Sequence, residues 1–168
     1  MKYSIYYCNK WFRAKKYPIE IWTEEQAREA HINKKFYTAL VDSEDFPYCF
    51  LEITEKAVGV SFLDDYLREF LMYDFQEFEP GKMFMTMAVY NEFVEDTDTV
   101  KVNTSYKYKQ DGEVRIDKLI FDSNGGVRET SYTKADVSYN YEDYPKFGEY
   151  DGLIQYERNP DLLNLENQ

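Results

Sequence analysis

The chain is poor in the residues on which most catalytic chemistry rests. One histidine, His31, and two cysteines, Cys8 and Cys49, occur among its 168 residues. A Ser-His-Asp or Cys-His arrangement would have to route through that single imidazole, and no G-x-S-x-G surrounds any serine. Cys8 and Cys49 lie far apart with no CxxC spacing, so they form neither a disulfide framework nor a zinc site. They read as two reduced, buried cysteines of a cytosolic protein. Glycine is scarce, at seven residues; no GxGxxG or P-loop occurs, and Gly125-Gly126 is too short to cradle phosphate. No run approaches the roughly 18 apolar residues of a membrane span. The start, Met1-Lys2 followed by tyrosine, asparagine and lysine, lacks the apolar centre of a signal peptide. The expected location is the cytoplasm.

Acid and aromatic residues dominate instead. Acidic side chains outnumber basic ones 32 to 20, a net charge of −12, and there are 17 tyrosines and 12 phenylalanines. Disordered chains are poor in aromatic and β-branched residues, so this composition points to a folded, strand-rich protein. The length fits a single domain over residues 1–168 with a real core. The charge is uneven. Residues 1–35 carry a net +4, residues 36–98 a net −12 and residues 99–168 a net −4. Such localisation bears on partners more than on fold.

Along the chain, Lys2–Tyr7 reads as a first strand, and Pro18 breaks any helix in the basic, aromatic stretch that follows. Thr23 with Gln26 three residues on is a capping box, and Glu24 and Glu25 suit a helix N-terminus, which predicts a short helix to about Asn33. Period-two patterns then predict strands at Phe36–Val41, Tyr48–Thr54 and Ala57–Phe62. The stretch Leu63–Phe78 mixes helical and strand spacing; a strand from about Glu69 to Phe78 is favoured, turning at Pro80-Gly81 into a strand Met83–Phe93. Asp111-Gly112 and Asn124-Gly125 are hairpin turns, so residues 99–133 form a three-stranded meander. The segments Tyr108–Val114 and Phe121–Val127 echo one another, which reflects shared turn chemistry. A further strand is expected over Ala135–Tyr141. Asn159 to Gln168, with Leu162, Leu163 and Leu165, reads as a loose tail or a final helical turn. The fold class is α+β, mainly an antiparallel meander with one or two short helices near the N-terminus.

Candidate sites are few. His31 suits the C-terminal end of its helix. Carboxylate pairs such as Asp42 with Asp45 or Glu142 with Asp143 arise by chance among so many acids, although glycoside hydrolysis needs two. Asp96-Thr97-Asp98 and Asp122-Ser123-Asn124 copy the start of a calcium loop but lack its glycine and closing glutamate. No metal or cofactor is expected, and no catalytic residue is assigned. Direct nucleic-acid binding is disfavoured, since phosphate affinity rests on Lys and Arg. The patch Lys10, Arg13, Lys15 and Lys16, beside Trp11, Phe12 and Tyr17, reads as a solvated face or a local partner of the acidic middle.

What remains is an acidic, tyrosine-bearing surface, the composition that steers and anchors a basic protein partner. Two segments carry it, from Asp64 to Glu79 and from Tyr90 to Asp98, and a hairpin at Pro80-Gly81 makes them neighbours. Asp64, Asp65, Tyr66, Asp74, Glu92, Asp96 and Asp98 are the candidate contacts.

Three C-terminal stretches, Phe121–Thr130 (FDSNGGVRET), Lys134–Ser138 (KADVS) and Tyr144–Tyr150 (YPKFGEY), resemble small bacterial immunity proteins. These accompany secreted polymorphic toxins of the Maf and contact-dependent-inhibition kinds, as in Neisseria. The resemblance covers about the last fifty residues and carries over no functional residue. It implies an α+β cytoplasmic protein that binds and neutralises a toxin domain. The concentrated acidic charge adds the expectation of a basic cognate toxin, such as a nuclease whose positive face the acidic segment would occupy, and no enzymatic activity is expected of the chain itself. A carboxylate-dependent hydrolase would instead show a deep pocket with two perturbed carboxylates, and an assembly adaptor would make apolar, salt-insensitive contacts.

Overall fold

A computed structural model describes residues 3–158. The elements are β1 (Ile5–Phe12), β2 (Tyr17–Trp22), α1 (Glu24–Ile32), β3 (Tyr37–Val41), β4 (Cys49–Ile53), β5 (Ala57–Leu63), β6 (Glu69–Glu79), β7 (Lys82–Phe93), β8 (Val100–Tyr108), β9 (Glu113–Ile120), β10 (Val127–Lys134) and β11 (Tyr141–Asp143). All eleven strands join one sheet, in the order β2-β1-β3-β4-β5-β6-β7-β8-β9-β10, with every pairing antiparallel. Short β11 pairs with Lys82–Phe84, the part of β7 that β8 leaves unpaired. The architecture is therefore mostly β with one α-helix, a narrower result than the expected α+β fold. Among the described residues no helix is long and apolar enough to cross a membrane.

Paired residues of an antiparallel ladder share a face, so the register sorts the side chains into rows. Tyr7, Ala39, Leu51, Val60, Tyr73, Ala88 and Tyr106 form one row of the first face, and all are buried. Two elements cover this face. Helix α1 packs Ala27 and Ala30 on it, with its Thr23–Gln26 capping box formed as expected. The segment after β10 adds Val137, Tyr150, Leu153 and Ile154. Arg158 fastens that segment, donating to the Gly152 carbonyl at 2.6 Å and to the Glu142 carboxylate.

The second face is apolar only at one end. Its row reads Leu40, Phe50, Ser61, Met72, Val89, Ser105, Asp117 and Thr130 across β3 to β10. The apolar end needs a cover, and the β1–β2 ribbon supplies it. Pairing of β1 with β3 stops at Cys8–Thr38, while pairing with β2 continues to Phe12–Tyr17. The ribbon ladder skips Asn9 and Glu20, and Glu20 takes a left-handed φ of 51°. At this kink the ribbon swings back across the sheet and lays Trp11 on Phe50, Leu40, Cys8 and Leu63.

Two expectations are corrected. The first strand, expected to end at Tyr7, runs to Phe12, and a second strand that no sequence pattern announced follows at Tyr17–Trp22; it tolerates Pro18 because it lies at the sheet edge, where proline's missing N–H goes unused. Over Ala135–Tyr141 the chain forms a 3₁₀ turn, Ser138–Asn140, and only then the short β11. The Asp136 carboxylate accepts from the Ser138 N–H at 2.9 Å and turns the chain out of extended form. The strand expected at Glu69–Phe78 runs to Glu79, and both glycine hairpins form. Gly112 is required there, since at its φ of 91° a Cβ would stand 2.9 Å from the Ala135 carbonyl. The tail reading for Asn159 to Gln168 lies outside the described residues, as does the start of the strand expected from Lys2.

The tyrosines of the first face make stability sensitive to alkali. Burial pushes the phenols of Tyr7, Tyr37, Tyr73, Tyr108 and Tyr150 well above their ordinary value near 10. Above pH 10 the unfolded chain releases protons that the folded chain keeps. The stability is thus complete below pH 10 and declines above it, by roughly 1.4 kcal/mol per pH unit for each such tyrosine. Urea unfolding at pH 9, 10 and 11 should show this decline, with tyrosinate absorbance from these residues rising only with unfolding. Equal midpoints at all three pH values would refute it.

Candidate functional site

The hairpin β6–β7 fixes where the acidic segments meet. Leu71 pairs with Tyr90, so the loop before β6 (64–68) and the loop after β7 (94–99) stand side by side at one end of the sheet. Asp64 organises the first loop. Its Oδ1 accepts from the Tyr66 and Arg68 N–H groups, both at 2.9 Å, and its Oδ2 accepts from Arg68 Nε at 2.8 Å. Burial pushes the Asp64 carboxyl up, but the hydrogen bonds from Arg68 and Tyr66 outweigh it and hold its pKa below the usual range. Arg68 then ties the second loop to the first. Its Nη1 donates to the Glu95 carbonyl at 2.8 Å and the Thr97 carbonyl at 2.7 Å, with the guanidinium 4.4 Å over the Phe93 ring.

The tip of the β1–β2 ribbon arrives at the same end. Lys16 Nζ donates to Asp98 Oδ1 at 2.6 Å and to the Tyr66 carbonyl at 3.0 Å. Behind it, Arg13 makes a double grip. Its Nη1 and Nη2 hold the two oxygens of Glu52 at 2.8 and 2.9 Å, while Nε faces the two oxygens of Glu69 at 3.1 and 3.2 Å. Arg13 and Lys16 of the basic N-terminal patch are therefore local partners of the acidic middle, while Lys10 and Lys15 are exposed, so each of the patch's two sequence readings holds for half of it. Arg13 stands between two clefts. One, of about 440 Å³, is lined by Trp11, Arg13, Ala14, Lys16, Leu67, Arg68, Glu69, Asn91, Phe93, Asp98 and Val100. The other, of about 480 Å³, is lined by Asn9, Lys10, Arg13, Ile19, Phe36 and Glu52.

Of the seven candidate contacts, five gather here. Asp64 is consumed by the loop it organises, and Asp98 is paired with Lys16. Asp65, Tyr66 and Asp96 are exposed, and neither Asp65 nor Asp96 takes part in an ion pair among the described residues. Asp74 and Glu92 lie elsewhere. Asp74 sits mid-strand on the second face, in a row with Glu52 and Gly59. Burial raises its pKa, and the Glu52 charge adds to this. Glu92 shares the parity of Tyr90 and so faces away from Asn91 and Phe93, which line the 440 Å³ cleft. Sequence reasoning named Arg13 within the basic patch but missed its partners Glu52 and Glu69, and missed Arg68, as the anchors of this end. The available signal was the basic, aromatic patch itself, charges too many to be left idle beside a −12 segment.

The other chemical candidates are accounted for structurally. His31 ends α1, with Nδ1 3.0 Å from the Tyr37 hydroxyl and its ring packed among Tyr37, Tyr144 and Phe147. Burial, then the Arg28 charge, lowers its pKa. Cys8 and Cys49 are buried and free; burial pushes the Cys8 thiol up to about 12 and raises Cys49 as well, away from nucleophilic thiolate. Asp122 accepts from the Asn124 N–H at 2.8 Å and shapes its hairpin. Among the described residues no cluster of His, Cys, Asp and Glu converges to hold a metal ion.

Compared with protein-family models, curated proteins and solved structures, the chain matches none of them.

Arg68 should be the keystone of this end. Replacing it with Met removes the charged bonds to Asp64, Glu95 and Thr97, at an expected cost of about 2–3 kcal/mol. Hydrogen exchange in residues 94–99 should rise more than exchange in β3–β5. A destabilisation below about 0.5 kcal/mol, the scatter of an ordinary surface change, would show that the two loops hold without it.

Proposed function

We propose that the chain is an inhibitor of the immunity-protein kind, which binds a basic bacterial toxin domain and neutralises it through the acidic end of the sheet. One observation carries this reading. The loops at 64–68 and 94–99 are locked to each other by Arg68, and outside that lock Asp65, Glu95 and Asp96 are exposed and enter no ion pair among the described residues. Acids held in place before encounter steer a basic partner without an ordering cost at binding. The exposed Tyr66 adds contact area between them. The resemblance of Phe121–Thr130 and the two later stretches to immunity proteins supplies the class of partner. On this reading the protein acts in the cytoplasm, uses no cofactor and need not touch nucleic acid.

A carboxylate-dependent hydrolase has one feature in its favour. Glu52 and Asp74 share a row with only Gly59 between them, and Asp74 is raised. Glu52, however, is held at both oxygens by Arg13, and Asp74 lines neither the 440 nor the 480 Å³ cleft. Glu52 borders the 480 Å³ cleft with its carboxylate occupied by Arg13, and Asp74 does not reach that cleft, so the two acids do not converge on it and inhibition is the better reading.

The test is co-expression with the toxin domain encoded by the adjacent gene, followed by association kinetics at low and high salt. The wild-type chain should restore growth. The double change Asp65→Lys and Asp96→Lys should slow association about ten-fold at low salt and flatten its salt dependence. Unchanged kinetics would remove this face from the interaction. An adjacent gene of metabolic function, with no basic toxin neutralised, would remove the reading.

A further inference from the structure

The 440 Å³ cleft is walled by backbone held in uncommon conformations. Lys16 (φ 59°) and Leu67 (φ 57°) line it, and Glu95 (φ 45°) lies in the loop behind Arg68. Bulky side chains rarely adopt left-handed backbone, and such residues persist where the surroundings fix them. The left-handed place in a hairpin tip ordinarily goes to Gly or Asn. Here it carries a lysine, whose ammonium spans the cleft mouth to Asp98 and the Tyr66 carbonyl. The apolar part of the lining comes from Trp11, Leu67, Phe93 and Val100. The volume lies within the range of ligand pockets, about 300–1,000 Å³. Arg13 and Glu69 hold each other, Arg68 is fully engaged, and Asn91 donates to the Glu69 carbonyl and accepts from Asn103. Asp98 is the lining carboxylate whose one side-chain partner among the described residues is Lys16, a single lysine cation.

We propose that this cleft receives a lysine or arginine side chain from a partner, and that Lys16 is the internal occupant it displaces. The incoming stem lies on Trp11, Leu67 and Phe93, and its cationic head takes the Asp98 carboxylate and the Tyr66 carbonyl. Charge complementarity favours such an occupant, because Asp65, Glu95 and Asp96, exposed on the same two loops as Leu67 and Asp98 of the lining, enter no ion pair among the described residues. Arg13 keeps the ribbon in place through Glu52 and Glu69 when Lys16 lets go. The inference rests on the reading of the acidic end as the face for a basic partner.

The probe is N-acetyl-arginine methylamide titrated into the full chain and followed by amide shifts at Tyr66 and Asp98 and by the Trp11 indole. Shifts should be confined to the cleft, and N-acetyl-norleucine methylamide should produce none. Lys16→Met keeps the stem and removes the competing charge. It should bind the arginine probe roughly two- to five-fold tighter than wild type, the factor an exposed ion pair supplies. Asp98→Asn should abolish binding. Lys16→Gln, a second neutral variant, should tighten binding in the same way. No tightening in either Lys16 variant, or shifts scattered over the whole acidic surface, would overturn the proposal. The two readings fail separately. Probe binding without neutralisation of any toxin removes the inhibitor function and leaves the cleft. Neutralisation undiminished in Asp98→Asn removes the cleft and leaves the function.

Discussion

An open antiparallel path of ten strands has two faces to keep from water, and the described residues bring a single α-helix to the task. The first face, with its continuous row from Tyr7 to Tyr106, takes the helix and the segment from Val137 to Arg158. Among the described residues, the second face is covered by the sheet's own edge ribbon. The register shows how little cover is needed: the row from Leu40 to Asp117 is apolar at the β3–β4 end and polar at the β8–β9 end. A two-stranded ribbon folded back over Leu40, Phe50 and Leu63 is enough. The kink at Glu20 is therefore the constraint on which the acidic end depends, because without it the ribbon tip would point away from the loops it now touches.

Folding the ribbon back also resolves the electrostatic difficulty of the middle segment. Fifteen acids and three bases over residues 36–98 repel one another in any compact arrangement. The ribbon delivers Arg13 between Glu52 and Glu69 and Lys16 to Asp98, while Arg68, from within the segment, takes Asp64. These pairs are partly screened and individually modest, but Arg13 and Arg68 each satisfy several acceptors with one ordered side chain, which dilutes the entropic cost per bond. Among the described residues of this segment, Asp65, Glu95 and Asp96 stay unpaired at the outer ends of the two locked loops, while Asp42, Glu44, Asp45, Asp74, Glu77, Glu79 and Glu92 stay unpaired elsewhere.

The local parts of this structure were legible because local chemistry decides them. Thr23 with Gln26 marks a helix start wherever it occurs outside a strand, and Asp111-Gly112 and Asn124-Gly125 accept the positive φ of a hairpin. The expected strand at Glu69, despite its mixed periodicity, follows from the aromatic residues that flank the helical spacing. The site was less legible, since it is assembled from residues far apart in sequence. Glu52 and Glu69 meet only because Arg13 crosses the sheet, and nothing around Glu20 announces a kink. Asp74 and Glu92 were grouped with Asp98 by sequence proximity, but strand parity sends Glu92 to the other face and β6 carries Asp74 toward mid-sheet. Ala135–Tyr141 looked extended by composition, and one Asp136–Ser138 hydrogen bond decided otherwise.

The ribbon thus has two duties that pull on different residues. Covering the second face is the work of Trp11 and of Arg13, whose grip on two carboxylates would be hard to exchange for a foreign group. Closing the cleft is the work of Lys16, which makes one exposed ion pair and one bond to a carbonyl. A partner competing at this end would meet the weaker contact first and could take it without uncovering Phe50. The division matters physically, because a site built on a fold-bearing contact would trade binding against stability, whereas one built on Lys16 need not. At Lys16 the left-handed backbone, which glycine would adopt without strain, carries instead a side chain whose ammonium closes the cleft mouth, so the strain there is borne by the same residue that a partner would displace.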